Sequence, residues 1–166
     1  KQNMQLKNDD SLSKAESSSI QGVILESSNN ISKASKKIKK VFAASISGLA
    51  TQDLDALKKN KKEVKSLADE IEDLRNDLFY FIKNLDESTI KGASNFYINV
   101  LGSLQDISES LQYISKVTFK HINNNHKALT FNQIRELKEI SLELETLFDR
   151  TKFAFSKNNF KEISSI

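Results

Sequence analysis

The sequence predicts an all-α fold, an antiparallel up-down bundle of about four long helices, and three observations carry that expectation. No proline and four glycines occur among 166 residues, so nothing interrupts long helices and little supports tight turns. Apolar residues recur at three- and four-residue steps along most of the chain, the period of one helical face. Polar breaks near residues 50, 86 and 124 divide that pattern, which argues against one uninterrupted coiled-coil rod. Stripes of roughly 30 residues give rods about 45–50 Å long, and short connections force neighbouring rods to run antiparallel.

The elements follow in order. Residues 1–18 are polar and serine-rich and read as a linker or frayed helix start, residues 19–160 as the bundle domain, and 161–166 as a tail. The first helix carries Ile20, Ile24, Ile31, Ala34, Ile38, Val41 and Leu49 at helical spacing and is expected to end near Gly48. Thr51 and Asp53 can then accept from the free amides of a second helix, expected over 53–84. That helix has the cleanest heptads in the chain, with Leu57, Val64, Ile71, Leu78 and Leu85 in one position and Leu67, Leu74 and Phe81 in the other.

Asp86, Glu87 and Ser88 form an acidic, cap-competent break suited to the positive end of a third helix. Its seam is Ile90, Ala93, Tyr97, Val100, Leu104, Ile107, Leu111 and Ile114. Asn123, Asn124 and Asn125 tolerate left-handed backbone and close this helix, and Thr130 is a cap for a fourth. The fourth carries Ile134, Leu137, Ile140, Leu144, Leu147 and Phe148, with Phe153, Phe155 and Phe160 extending apolar character toward the tail.

Composition excludes several classes of function. The net charge of +3 comes from 25 basic and 22 acidic residues, too even a balance for a dedicated nucleic-acid binder. The chain has no cysteine, so disulfides, thiolate metal sites and cysteine nucleophiles are ruled out. No apolar run approaches the roughly 20 residues that cross a bilayer. The opening Lys1-Gln2-Asn3 reads as a segment of a longer polypeptide. No glycine-rich phosphate cradle, paired nucleophile and base, or zinc signature is present, so an enzyme is not expected.

Two charge features are candidate sites. An antiparallel hairpin is expected to set Lys36, Lys37, Lys39 and Lys40 beside Lys58, Lys59, Lys61, Lys62 and Lys65, forming a basic end that meets an acidic partner or anionic headgroups at about 1 kcal/mol per lysine. Its plainer reading is a solvated face. Asp69, Glu70, Glu72, Asp73 and Asp77 are expected level with Gln105, Asp106 and Glu109, where carboxylates converging across helices can hold a hard cation. The competing reading is a set of salt-bridged outer faces. His121 and His126, five residues apart around a helix end, fit capping better than metal ligation.

The string from Val64 to Leu74 resembles the second helix of PhoU-family repeats, and Leu104-Gln105-Asp106-Ile107-Ser108-Glu109 sits where that family has a Leu-Glu-Arg-Ile-Gly-Asp element. The stretch Ser94-Asn95-Phe96-Tyr97 through Gln105, then Phe119 to Lys127, is similar to the PhoU-like region at the C-terminus of bacterial sodium/phosphate cotransporters. Together these cover about Ile31 to Ile140.

The resemblance implies a PhoU-like helical domain following a membrane transport domain of the same polypeptide, at the cytoplasmic face of the bacterial inner membrane. Its implied role is to regulate phosphate uptake through protein contacts, with a second copy and the membrane surface as further partners. The family's metal carboxylates carry over in part. Glu109 matches the second acid of the element, Gln105 replaces the first, and Asp69, Glu70, Asp73 and Asp106 remain as ligands for a divalent or ferric ion; with one charge lost, no bound cofactor is expected. The alternative is a structural bundle or coiled-coil segment of a surface or signalling protein. Separately, exposed apolar positions such as Phe153 and Phe155 are candidates for self-association.

Overall fold

A computed structural model describes residues 16–83 and 91–157, with side chains over 21–83 and 95–157. Four helices fill these segments: α1 (Glu16–Thr51), α2 (Leu54–Lys83), α3 (Lys91–Asn123) and α4 (Phe131–Ser156). Cross-helix pairs give their directions. Lys37 and Ser45 of α1 meet Glu70 and Asn60 of α2, Lys61 and Arg75 of α2 meet Phe119 and Gln105 of α3, and Ser32 and Lys39 of α1 meet Lys152 and Asp149 of α4. Each pairing runs antiparallel, so the expected all-α, up-down bundle is what the chain forms.

The helices do not share the interior equally. The hub is α1, which packs against α2, α3 and α4; α2 and α3 also pack on each other, whereas among the described residues the backbone of α4 closely approaches that of α1, and α4 touches α3 through side chains at one end. A helix with three neighbours needs small residues on several sides, because bulky ones would hold the partners apart. Ser27, Ser28, Ser32, Ala34, Ser35 and Ser45 are accordingly buried beside Ile31, Ile38, Val41 and Phe42. Three of these serines each bond a different neighbour. Ser28 Oγ lies 2.8 Å from Tyr97 Oη on α3, Ser32 Oγ donates to Lys152 O on α4, and Ser45 Oγ accepts from Asn60 Nδ2 on α2 at 2.7 Å.

On α2 the heptads hold. Leu57, Val64, Ile71, Leu78, Leu67 and Phe81 are buried, each burial contributing about 1.5–3 kcal/mol. The unexpected member is Asn60, buried at the heptad slot between Leu57 and Val64. On α3, Tyr97, Leu104 and Leu111 are buried, as is Leu101, which lies outside the expected seam. The break at 86–88 and Leu85 and Ile90 fall outside the described residues, as does the side chain of Ala93.

Both described connections end a helix in the same way. Asp53 N donates to Gly48 O and Gln52 N to Leu49 O, with Gln52 at φ 55°. His126 N donates to His121 O and Asn125 N to Ile122 O, with Asn125 at φ 52°. This paired pattern closes a helix through one left-handed residue. The expected role of Gly48 as the helix end is therefore corrected: α1 runs on to Thr51, and a Cβ on Gly48 would stand 2.7 Å from Leu57 Cδ2. Gly48 lets α2 approach. Asp53 Oδ1 caps α2 by accepting from Ala56 N, while Thr51 Oγ1 turns back to Ser47 O. Thr130 caps α4 as expected, in a reciprocal capping box with Gln133.

Candidate functional site

The register fixed by Lys37–Glu70 and Ser45–Asn60 corrects the expected basic end. Lys33, Lys36, Lys37 and Lys40 stand level with the acidic stretch of α2, and Lys58, Lys62 and Lys65 stand level with the apolar stretch of α1 that begins at Val41. The expected hairpin alignment set the two lysine runs side by side, whereas Lys37 pairs with Glu70 and Ser45 with Asn60, so the runs follow one another along the hairpin. Lys36, Lys37, Lys40, Lys58, Lys62 and Lys65 are all exposed. Lys37 Nζ reaches Glu70 at 2.6 Å. Lys39 Nζ reaches Asp149 at 2.8 Å, and the hydrogen bond to that carboxylate holds the Lys39 ammonium above its ordinary pKa. A shallow depression of about 630 Å³ lies along Lys33, Lys36 and Lys40 with Glu145 on its α4 side.

The acids stay on the outside. Asp69, Glu70, Asp73, Asp106 and Glu109 are all exposed, and at their level Ile71, Leu104, Ser108 and Leu111 fill the interior. Helical period explains this: in Asp69-Glu70-Ile71-Glu72-Asp73 the inward position belongs to Ile71, and its acidic neighbours are turned away. Among the described residues no three His, Cys, Asp or Glu side chains are placed to share a metal ion. Gln105, at the position where the resemblance would have a carboxylate, accepts from Arg75 Nη1 at 2.8 Å.

His121 and His126 close the end of α3. Their rings stack at 5.3 Å between centroids, and His121 Nε2 lies 2.9 Å from Lys127 O in the connection to α4. The two rings brace the turn through this stack and through Lys127 O.

A groove between α3 and α4 was not foreseen. Ile107, Leu111 and Ile114 of α3 face Leu144, Leu147 and Phe148 of α4 across about 380 Å³ of open space, floored by Phe42 of α1. The two helices meet at one end, where Phe155 stacks on Phe96 at 6.1 Å and packs edge-on to Tyr97. Phe155 is thus buried, which removes it as a self-association residue, while Phe153 is 55% exposed. The sequence held a sign of the groove: the apolar residues of α4, from Ile134 to Phe148 with Leu142, spread wider than one neighbour can cover. In keeping with that, the residues of α4 that are fully buried are Ser141, Ala154 and Phe155, and Ile140 is 52% exposed.

No helix among the described residues is long and apolar enough to cross a membrane. No family model, curated protein or solved structure matches the chain.

Proposed function

We propose that the chain is a non-catalytic regulatory domain of a sodium-dependent inorganic phosphate cotransporter, acting through protein contacts that modulate phosphate uptake. The observation that carries this reading is how the residues bearing the resemblance are used. In Leu104-Gln105-Asp106-Ile107-Ser108-Glu109, Leu104 and Ser108 are buried in the bundle, while Asp106 and Glu109 face outward. In Phe119 to Lys127, the stacked histidines and the left-handed Asn125 build a defined surface turn at one end of the bundle. Both strings thus serve an antiparallel bundle that offers its outer faces to a transport domain or to a second copy.

A second reading, a helical interaction segment of a surface or signalling protein, is favoured by exposed apolar side chains. Tyr113, Phe131 and Leu142 are 70%, 79% and 63% exposed, more than a self-sufficient bundle requires.

The test uses the parent polypeptide. Sodium-dependent uptake of radiolabelled phosphate is compared with and without residues 16–157 in cells that make each form at equal level. The transporter reading expects uptake to persist but its dependence on external phosphate to change. A parent reading frame with no membrane-spanning portion, or identical uptake curves, leaves the second reading standing.

A further inference from the structure

We propose that the groove between α3 and α4 docks an amphipathic helix of a partner protein whose apolar face is flanked by lysine or arginine. This goes beyond the transporter reading and does not depend on it.

The groove has the shape for such an occupant. Consecutive helices joined by a short turn would ordinarily close on each other, yet α3 and α4 both pack on α1 without close backbone approach to one another. The space between them is about 380 Å³ and lined by Ile107, Leu111, Ile114, Leu144, Leu147 and Phe148. Apolar surface continues past it to Val117 and Ile140, 45% and 52% exposed. From Ile107 to Val117 the helix rises about 15 Å, close to three turns of an incoming helix bearing anchors at i, i+3 or i+4, and i+7.

Charge selects the flanks. On α4, Glu143 stands one turn before the groove residue Leu147 and Glu136 one turn before Ile140, where the apolar surface continues beyond the groove, and both are exposed. On α3, Asp106 is exposed one turn before Ser110, which lines the opposite rim. Arg150, farther along the α4 rim, already has a partner. An occupant with cationic flanks meets these carboxylates favourably. A second copy laid groove to groove would instead bring acidic rims together.

The test uses the full 166-residue chain with labelled Ile and Leu methyl groups. The probes are a synthetic helix of about 18 residues with leucine at i, i+3, i+4 and i+7 and lysine flanks, and a twin with glutamate flanks. The lysine peptide is expected to shift the methyl resonances of Ile107, Ile114, Leu144 and Leu147 and to bind at least about tenfold tighter than its twin. The double variant Glu136→Lys, Glu143→Lys should reverse that preference. Ser110→Trp, at an exposed site, should abolish binding by both peptides while leaving the helical circular dichroism and melting temperature close to those of the parent. Equal affinity of the twins, shifts confined to other faces, or indifference to these variants would overturn the proposal. So would binding that appears only after residues 158–166 are deleted, because the chain's own tail would then be the occupant. A dimer in solution that Ser110→Trp dissociates would assign the groove to a second copy instead.

Discussion

Asn60 Nδ2 donates to Ser45 Oγ at 2.7 Å and to Val41 O at 3.0 Å, so a polar side chain in the most regular heptad of the chain sets the register of α1 against α2. Ser45 itself donates to Val41 O, and Asn60 Oδ1 has no partner. A buried amide with one unmet oxygen stabilises little, but it specifies alignment, because sliding α2 by one turn would leave the Asn60 amide unpaired in an apolar seam while Ser45 kept only its bond to Val41 O.

Replacing Asn60 separates those roles. Asn60→Asp keeps the shape but removes the donor and buries a carboxylate against two acceptors, and should cost about 3 kcal/mol or more in urea unfolding at neutral pH. Asn60→Leu removes the unmet oxygen, leaves Ser45 bonded to Val41 O, and should stay within about 1.5 kcal/mol of the parent. Equal losses in both variants would show that Asn60 is there for packing alone.

Gly48 tests the close approach of α1 and α2. Gly48→Ala gains about 0.5–1 kcal/mol of helix propensity but forces a methyl into Leu57, which is 1% exposed and has little room to move. Overpacking of this kind costs about 1–3 kcal/mol, so a net loss is expected in thermal melts. The double variant Gly48→Ala, Leu57→Val should recover part of it.

Gln52 carries the opposite expectation. It holds φ 55° where glycine is at ease, and its side chain is exposed. Gln52→Gly should therefore raise stability by about 0.5–1 kcal/mol in urea unfolding, although it removes a side chain. A loss would show that the turn is held by contacts of the glutamine itself.

The Lys39–Asp149 pair predicts a pH dependence. The folded-state pKa of Lys39 lies above its ordinary value of 10.5, chiefly through its bond to Asp149. The stabilisation is therefore fully present below that ordinary value and is lost as pH rises through the raised one. Melting temperatures of the parent and Asp149→Asn should differ by a constant small amount from neutral pH to about pH 9 and converge in stronger alkali. A gap that persists once Lys39 is neutral would place the effect of Asp149 elsewhere.

Much of this fold was legible because its signals are local. The heptads of α2, the asparagine turn after α3 and the Thr130 cap each depend on residues within a few positions of one another. Three features were not legible, each for a physical reason. The hub role of α1 depends on which helices pack together, and its buried serines read locally as polar surface. An approximate hairpin alignment sets the lysine runs of α1 and α2 side by side, whereas the pairing of Lys37 with Glu70 and Ser45 with Asn60 that separates them depends on where the turn falls to within a few residues. The α3–α4 groove exists because α4 packs on α1; the wide apolar spread of α4 hints at an uncovered face, but its periodicity does not say which neighbour leaves it open. Of the candidate sites, the lysines and acids were found at exposed positions, whereas the groove residues were counted as closed core.

The return of α4 onto α1, across 120 positions between Ser32 and Lys152, is the contact from which the hub arrangement and the open groove both follow. With no native cysteine, Ser32→Cys, Lys152→Cys gives a clean cross-linking probe in dilute solution. Oxidation should yield a disulfide within one chain, read as a monomer of faster mobility under non-reducing conditions. Disulfides formed between chains, in place of the one within the chain, would mean that α4 lies elsewhere.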